Sequence, residues 1–493
     1  MSTVEKNRFS ELLEQLINMS EVKNASIAKA LQYDASYISK WISGRMMPAE
    51  KTKKKVLTGI SHEIVRQSTQ DGLENLYSNY QVTFPEELEK VIYDNLEIEY
   101  DYVMDLQKTC GTSIAPKVNF FVELSPAQYI TKMRHPVLRR VKMLHIMAEM
   151  DLLLLNHEYR LQIMQGDIHR ELHHTYPDVH FSLVIDLSED KIDDIYDPIF
   201  LMNMLSAMSQ VDFHLYKNIQ ASGKMVFTVK DDFMISGMLV DPNKCMSVTV
   251  SSDSANCNAI FYNIRDLCTR EALLCRRETM EKMIVHYDYM HSMLSLNQRW
   301  VIGHMTEHFL PEDLFEELLE KVKQQKGKEF RYEKEIRYVH TLTRKALEEA
   351  RFDILIYSQA FLNLAVESEL DFFDYKIRLT LQQRERYIGH LLKLCSEQKN
   401  LRFKLIYKQL MPDFQYHVNQ CVFLSDQFSY LRLSTYNGHN NLAVLNHPDM
   451  QRIFDRFFDV MWDDKNEDIL SDSDQIYSFI CHMIQRVNII SEI

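Results

Sequence analysis

The side chains whose types and spacing could do chemistry fall into three groups. His169, His173 and His174 lie beside Asp167 and Glu171, and His169 and His173 stand one helical turn apart, as two metal ligands on a helix face would. A zinc centre needs four convergent ligands, or three and a water, so the cluster reads first as a polar helix ahead of Tyr176-Pro177. His304-Met305-Thr306-Glu307-His308 repeats that spacing, but its glutamate does not follow the first histidine, so the segment is not the HExxH of a metalloprotease. Cys257, Cys268 and Cys275 read as buried or partly buried thiols, with Cys275-Arg276-Arg277 the one basic neighbourhood suited to a redox role. No metal or other cofactor is expected.

A fourth segment joins chemistry to a defined scaffold. Asn24-Ala25-Ser26-Ile27-Ala28-Lys29-Ala30-Leu31, then Gln32-Tyr33-Asp34, then Ala35-Ser36-Tyr37-Ile38-Ser39-Lys40-Trp41-Ile42 read as two short helices around a tight turn. That arrangement seats a helix in the major groove of DNA. Phe9, Leu12, Leu13, Leu16 and Ile17 predict a preceding helix over Phe9–Met19. Asn24 is placed to cap the second helix, whose Ile27, Ala28 and Leu31 face inward, and Asp34 to cap the third, whose buried side is Ile38, Trp41 and Ile42. Gly44 ends the third helix, Pro48 starts a fourth, and Val56, Leu57 and Ile60 supply its apolar face.

The stretch Ile27–Pro48 resembles the helix-turn-helix of the lambda-repressor-like (Cro-like, XRE) family. Ala28 matches the family's small residue, Ile38-Ser39-Lys40-Trp41 its Ile-Ser-x-Trp segment, and Gly44-Arg45-Met46-Met47-Pro48 its exit. One position departs: Gln32 stands where the family's turn often has glycine, so the turn carries some strain. The resemblance spans residues 9–61. It implies that Ala35, Ser36, Tyr37 and Lys40 meet base edges and that Asn24, Ser43 and Arg45 meet phosphate, with Lys51, Lys53, Lys54 and Lys55 adding long-range attraction. The competing accounts are a solvated face for the lysine run and a packing role for Tyr37.

Composition agrees with a large protein that touches DNA through one small part. A length of 493 residues predicts two to four domains. Residues 1–66 hold 11 Lys/Arg and 7 Asp/Glu, a net +4, so with −14 for the whole chain the rest carries −18. An acidic body is repelled by phosphates, which argues against a nucleic-acid channel running the length of the molecule. Only 11 glycines, with no GxGxxG or GxxxxGK[ST], disfavour nucleotide-cradling loops. No apolar run reaches membrane-span length, the N-terminus lacks an apolar signal core, and the 8 cysteines form no CxxC pair. A cytoplasmic protein without membrane contact is expected.

The expected fold is multidomain: an all-α helix-turn-helix domain over 1–66, a helical linker over 67–115, and a large α/β region. That region divides into one half over 116–275, a helical connector over 276–349 carrying Leu314, Leu318, Leu319 and Val322 at helical spacing, and a second half over 350–493. A weak internal repeat pairs Asp151–Leu155, Phe181–Leu187, Val226–Leu239 and Met246–Val250 with Asp353–Tyr357, Leu401–Tyr407, Val422–Leu433 and Leu442–Leu445. The order of elements resembles the phospholipase D-like duplicated fold. Its HxKxxxxD pattern is missing from both copies, Thr228 standing two residues before Lys230 where the histidine would be, so its phosphodiester chemistry is not expected. The reading is a sequence-specific DNA-binding transcriptional regulator, not an enzyme, working on double-stranded DNA as a homodimer. Its 26 methionines and 50 Phe/Tyr leave room for a small-molecule or peptide ligand, though core packing explains them as well. The alternatives are a DNA-targeted phosphodiesterase-like effector and a protein-interaction scaffold.

Overall fold

Apolar residues at helical spacing build the N-terminal part of the chain: α1 (Arg8–Ser20), α2 (Asn24–Leu31), α3 (Ala35–Ile42), α4 (Lys53–Gln67), α5 (Gln70–Tyr80) and α6 (Pro85–Cys110). The computed structural model describes residues 7–80, 84–110, 118–137, 143–165, 178–188, 192–208, 211–327, 330–408, 410, 419–433 and 442–491. The histidine cluster at 169–174 lies outside the described residues.

These helices share one core. Phe9, Leu13, Leu16, Ile27, Ile38, Trp41, Val56, Leu57 and Ile60 are joined in it by Leu76, Tyr80, Leu88, Ile92, Leu96 and Tyr100. The segment expected as a linker therefore supplies two helices that cover α1 and α4. Gly72 lets α5 cross the end of α1, since a Cβ there would sit 2.8 Å from the Ser20 carbonyl oxygen. Tyr100 donates to the Pro48 carbonyl (2.8 Å). Pro48 does not open α4: it is buried in the approach to a one-turn 3-10 helix, Glu50–Thr52, and α4 begins at Lys53.

The chain divides into two compact units, Met1–Asp186 with Val211–Phe213 and Ile219–Leu267, and Leu187–Gln210 with His214–Asn218 and Cys268–Ile493. Each is built on a mixed sheet. The first sheet consists of β1 (Val118–Leu124), β2 (Met143–Met150), β3 (Asp178–Ile185), β4 (Asp212–Lys217), β5 (Lys224–Val229), β6 (Phe233–Asp241) and β7 (Lys244–Ser251), ordered β1-β7-β6-β5-β2-β3-β4. The second consists of β8 (Arg276–Glu278), β9 (Asn297–Ile302), β10 (Arg351–Tyr357), β13 (Leu401–Ile406), β14 (Cys421–Ser425), β15 (Tyr430–Arg432), β16 (Leu442–Val444) and β17 (Ile469–Leu470). A separate hairpin is formed by β11 (Glu369–Phe372) and β12 (Tyr375–Arg378).

Read from its other edge, the second sheet is ordered β8-β16-β15-β14-β9-β10-β13-β17, which repeats the first with β17 added. The directions repeat too: β2 runs parallel to β3 and antiparallel to β5, as β9 runs parallel to β10 and antiparallel to β14. The expected pairing of strands was right for the hairpins and one element out before them. Asp151–Leu155 is no strand but the turn after β2, and the counterpart of β2 is β9, inside the segment expected as a helical connector. No helix among the described residues is long and apolar enough to cross a membrane.

Gly303 follows β9, where the chain presses against the start of β14, and a Cβ there would overlap the backbone of Asn419 and Gln420. Gly389, in the helix Leu381–Glu397, meets nothing within 4 Å. Gly303→Ala should therefore destabilise by about 1–3 kcal/mol. Gly389→Ala should stabilise by about 0.5–1 kcal/mol through helix propensity. Urea unfolding of the two variants beside the wild type checks both signs.

Candidate functional site

The placement of α3 begins with its two ends. Gln32 takes a left-handed conformation (φ 60°), and with the Gln32 and Tyr33 N–H groups bonded back to Lys29 and Ala28 it ends α2 in a tight turn. The expected strain at this non-glycine position is present as that positive φ. Asp34 then caps α3, accepting from the Ser36 N–H at 2.9 Å. The hydrogen bonds from the Ser36 side chain and backbone hold the Asp34 carboxyl below its ordinary value. At the far end Gly44 (φ 72°) turns the chain away, while Arg45 N–H bonds to the Lys40 carbonyl. Ile38 and Trp41 are sunk in the core; Ile42 is only half-buried.

The other side of α3 is open. Ala35, Ser36, Tyr37, Ser39 and Lys40 are all exposed. The Tyr37 ring packs edge-on against Tyr33 (5.5 Å), which in turn packs on Trp41 (5.4 Å), and Lys40 Nζ lies 5.4 Å from the Tyr37 centroid. This chain of rings ties an exposed phenol to the core, so Tyr37 both packs and faces outward. The face offers a methyl, hydroxyls and an ammonium, the groups that meet thymine methyls and base-edge acceptors.

The residues expected around this face are placed unequally. Arg45, Lys51, Lys54 and Lys55 are exposed and form no ion pair with a described residue. Lys53 is engaged by Glu97 (3.1 Å) and Asp101 (2.8 Å) of α6, which removes it from the free cations. The Ser43 hydroxyl bonds to the Lys40 carbonyl (3.1 Å). Asn24 does not cap α2: Lys23 is the capping position, and the buried Asn24 Oδ1 has no hydrogen-bond partner among the described residues.

The second unit holds a polar cluster around the His304–His308 segment, whose other members, Tyr289, Asp371, Cys421 and Arg432, sequence reading missed. Arg432 of β15 is wholly buried and bridges two carboxylates, Glu307 (2.9 Å to each oxygen) and Asp371 (2.6 Å). Tyr289 donates to Glu307 (2.6 Å). His308 lies between Tyr289 and Thr306, at 2.7 Å from each hydroxyl. Its neighbour in sequence, His304, has other partners: Nδ1 bonds to the Asn419 carbonyl (3.0 Å) and Nε2 to Asp371 (3.3 Å).

Cys421 Sγ stands 3.5 Å from His304 Nδ1 and accepts from the Gly303 N–H at 3.3 Å. Burial works against charge on both residues, but each stabilises the other. The His304 pKa rises to about 10 beside Cys421 and Asp371, and the Cys421 thiol falls below its ordinary value beside His304. Burial likewise opposes charge on Glu307 and Asp371, and Arg432 overrides it and holds both carboxyls ionised. The cysteine singled out from sequence behaves oppositely: burial pushes the Cys275 thiol up to about 11.

Compared with known protein families and with curated proteins, the chain matches none. Among the described residues no group of three or more His, Cys, Asp or Glu is arranged to hold a metal ion.

Removing one member of a buried ion cluster strands the others, so Arg432→Met should cost about 3–5 kcal/mol. Burial also pushes His308 and His340 down to about 4 from 6.5, so both are neutral in the folded chain. The unfolded chain takes up those protons first, so their contribution is full above pH 6.5 and is lost as pH falls toward 4. His340, on the helix Glu333–Glu349, stacks on Phe315 at 3.7 Å. His340→Phe should keep that stack and reduce the fall in melting temperature between pH 6.5 and 4, measured by thermal unfolding across that range.

Proposed function

We propose that the chain is a sequence-specific DNA-binding transcriptional regulator in which α3 reads base edges in the major groove. The observation that carries this reading is a helix fixed at both ends and through its buried side, while Ala35, Ser36, Tyr37 and Lys40 all face solvent. A helix whose outward side chains are polar and whose position is set by the core can be specific, because base-edge bonds need fixed donors. Arg45, Lys51, Lys54 and Lys55 add exposed cations, without an ion pair to any described residue, that suit phosphate. The charge division supports it further, +4 over residues 1–66 against −18 beyond.

One short helix makes too few base contacts for tight specific binding, so the protein acts as a homodimer on two half-sites about one helical turn apart. The large sheet-bearing region senses a signal or sets the oligomer. Its repeated strand order accords with a duplicated fold of the phospholipase D-like kind, and the missing HxKxxxxD leaves it without that family's nucleophile.

A pull-down of genomic fragments at physiological salt tests the reading. The wild type should enrich a few palindromic fragments, and Ser36→Ala/Lys40→Ala should lose that preference. On an enriched duplex, Lys40→Ala alone should cost about 1–3 kcal/mol and relax specificity at one base pair. Lys54→Ala/Lys55→Ala should weaken all sequences alike and flatten the salt dependence. Equal enrichment by wild type and double variant would remove α3 from the reading.

A further inference from the structure

A cavity of about 210 Å³ opens in the second unit beyond the carboxyl ends of β9, β10 and β13. These strands run parallel, and β14 lies antiparallel on the other side of β9. Crossovers from β9 lead away in one direction while the hairpin strands extend in the other, so the crevice lies where the sheet changes direction, the usual place for a ligand on an open α/β sheet. Val301, Tyr357 and Ile406 line it, with Asn203, Ser358 and Asn419 among its polar lining residues.

We propose that this cavity binds a small organic anion that carries an N–H or O–H donor. Three features set that chemistry. Asn203, in the helix Tyr196–Ala207, is only 6% exposed; its Nδ2 donates to the Ile199 carbonyl (2.5 Å), and its Oδ1 has no partner among the described residues. An acceptor held inside a cavity wants a donor from whatever enters. Lining the same cavity, the helix Ser358–Glu367 starts directly from β10, and its capping position, Tyr357, makes no side-chain cap, so the first-turn N–H groups carry their positive dipole end uncapped.

The third feature is the sign of the lining. Lys408 is there and no Asp or Glu is among the described lining residues. Lys408 pairs with Asp468 (2.7 Å) at the exposed rim, so an anion competes with that carboxylate for one ammonium. The Ser358 hydroxyl is already turned to the Tyr407 carbonyl (3.4 Å), leaving the backbone and Lys408 as the anion-facing groups.

Size limits the class. At about 210 Å³ the cavity lies below the ~300 Å³ at which drug-sized pockets begin. The occupant is of hydroxycarboxylate or small phosphate-ester size. This site stands whether or not α3 reads DNA, and its test contains no DNA.

The experiment is calorimetric titration and thermal shift on the full chain with lactate and glycerol 3-phosphate, with glycerol and ethanolamine as the uncharged and cationic comparisons. One anion should bind saturably, about tenfold or more tighter than glycerol or ethanolamine. Which anion binds separates carboxylate from phosphate recognition. Asn203→Leu, which keeps size and burial, should weaken binding about tenfold or more. Lys408→Gln, at the exposed rim, should weaken it while leaving the ligand-free melting temperature in place, and so reports even if Asn203→Leu folds poorly. No saturable binding of either anion up to about 10 mM, tighter binding of ethanolamine or glycerol, or anion binding that Lys408→Gln leaves unchanged would overturn the assignment.

Discussion

The second unit depends on a guanidinium that no water reaches. Arg432 enters from β15 and is held by Glu307, just after β9, and by Asp371, on β11. Charges in that interior are tolerable only while all are paired, so the cluster fixes three separate stretches of chain against one another. His304 is drawn to Asp371, and its ring bonds the Asn419 carbonyl at the start of β14. That bond and the absence of a side chain at Gly303 let β9 and β14 close together. The wall of the cavity at Val301 and Asn419 is thus set by electrostatics several residues away.

The N-terminal unit uses local geometry for the same end. There the constraint is two positive-φ residues, Gln32 and Gly44, which bracket α3 and decide where its outward side points. Trp41 and Ile38 hold it down, and the rings of Tyr33 and Tyr37 extend the packing to the surface. α5 and α6 then cover the back of the bundle, with Lys53 tied to Glu97 and Asp101. A helix as short as α3 cannot be stable alone, since its stability comes from packing. The extra helices are what make its position firm.

What the sequence revealed follows from how local each signal is. α1 to α4 were legible because apolar period, the Asp34 cap and Gly44 all act within a few residues. Asn24 and Pro48 misled because a good capping or starting residue takes that role only when the backbone around it agrees; here Lys23 and Lys53 hold the two positions. The helices over 70–110 were visible as helices, yet nothing local says that Leu76, Tyr80 and Leu96 face α1 and α4. The hairpins of both sheets were legible as long runs of apolar and β-branched residues, buried almost continuously in β5 and β14, whereas β9 was hidden in a helical segment because its apolar run is only Trp300, Val301 and Ile302. Cys421 and His304 lie 117 residues apart, and only the fold brings them together.

The central claim is that α3, and not the acidic remainder of the chain, meets DNA. Hydrogen–deuterium exchange of the full chain with and without an enriched duplex tests it most directly. The account predicts slowed exchange over residues 24–45, with the strands of both sheets unchanged on short labelling times. Slowed exchange confined to the second sheet, with residues 24–45 exchanging as in the free protein, would contradict it.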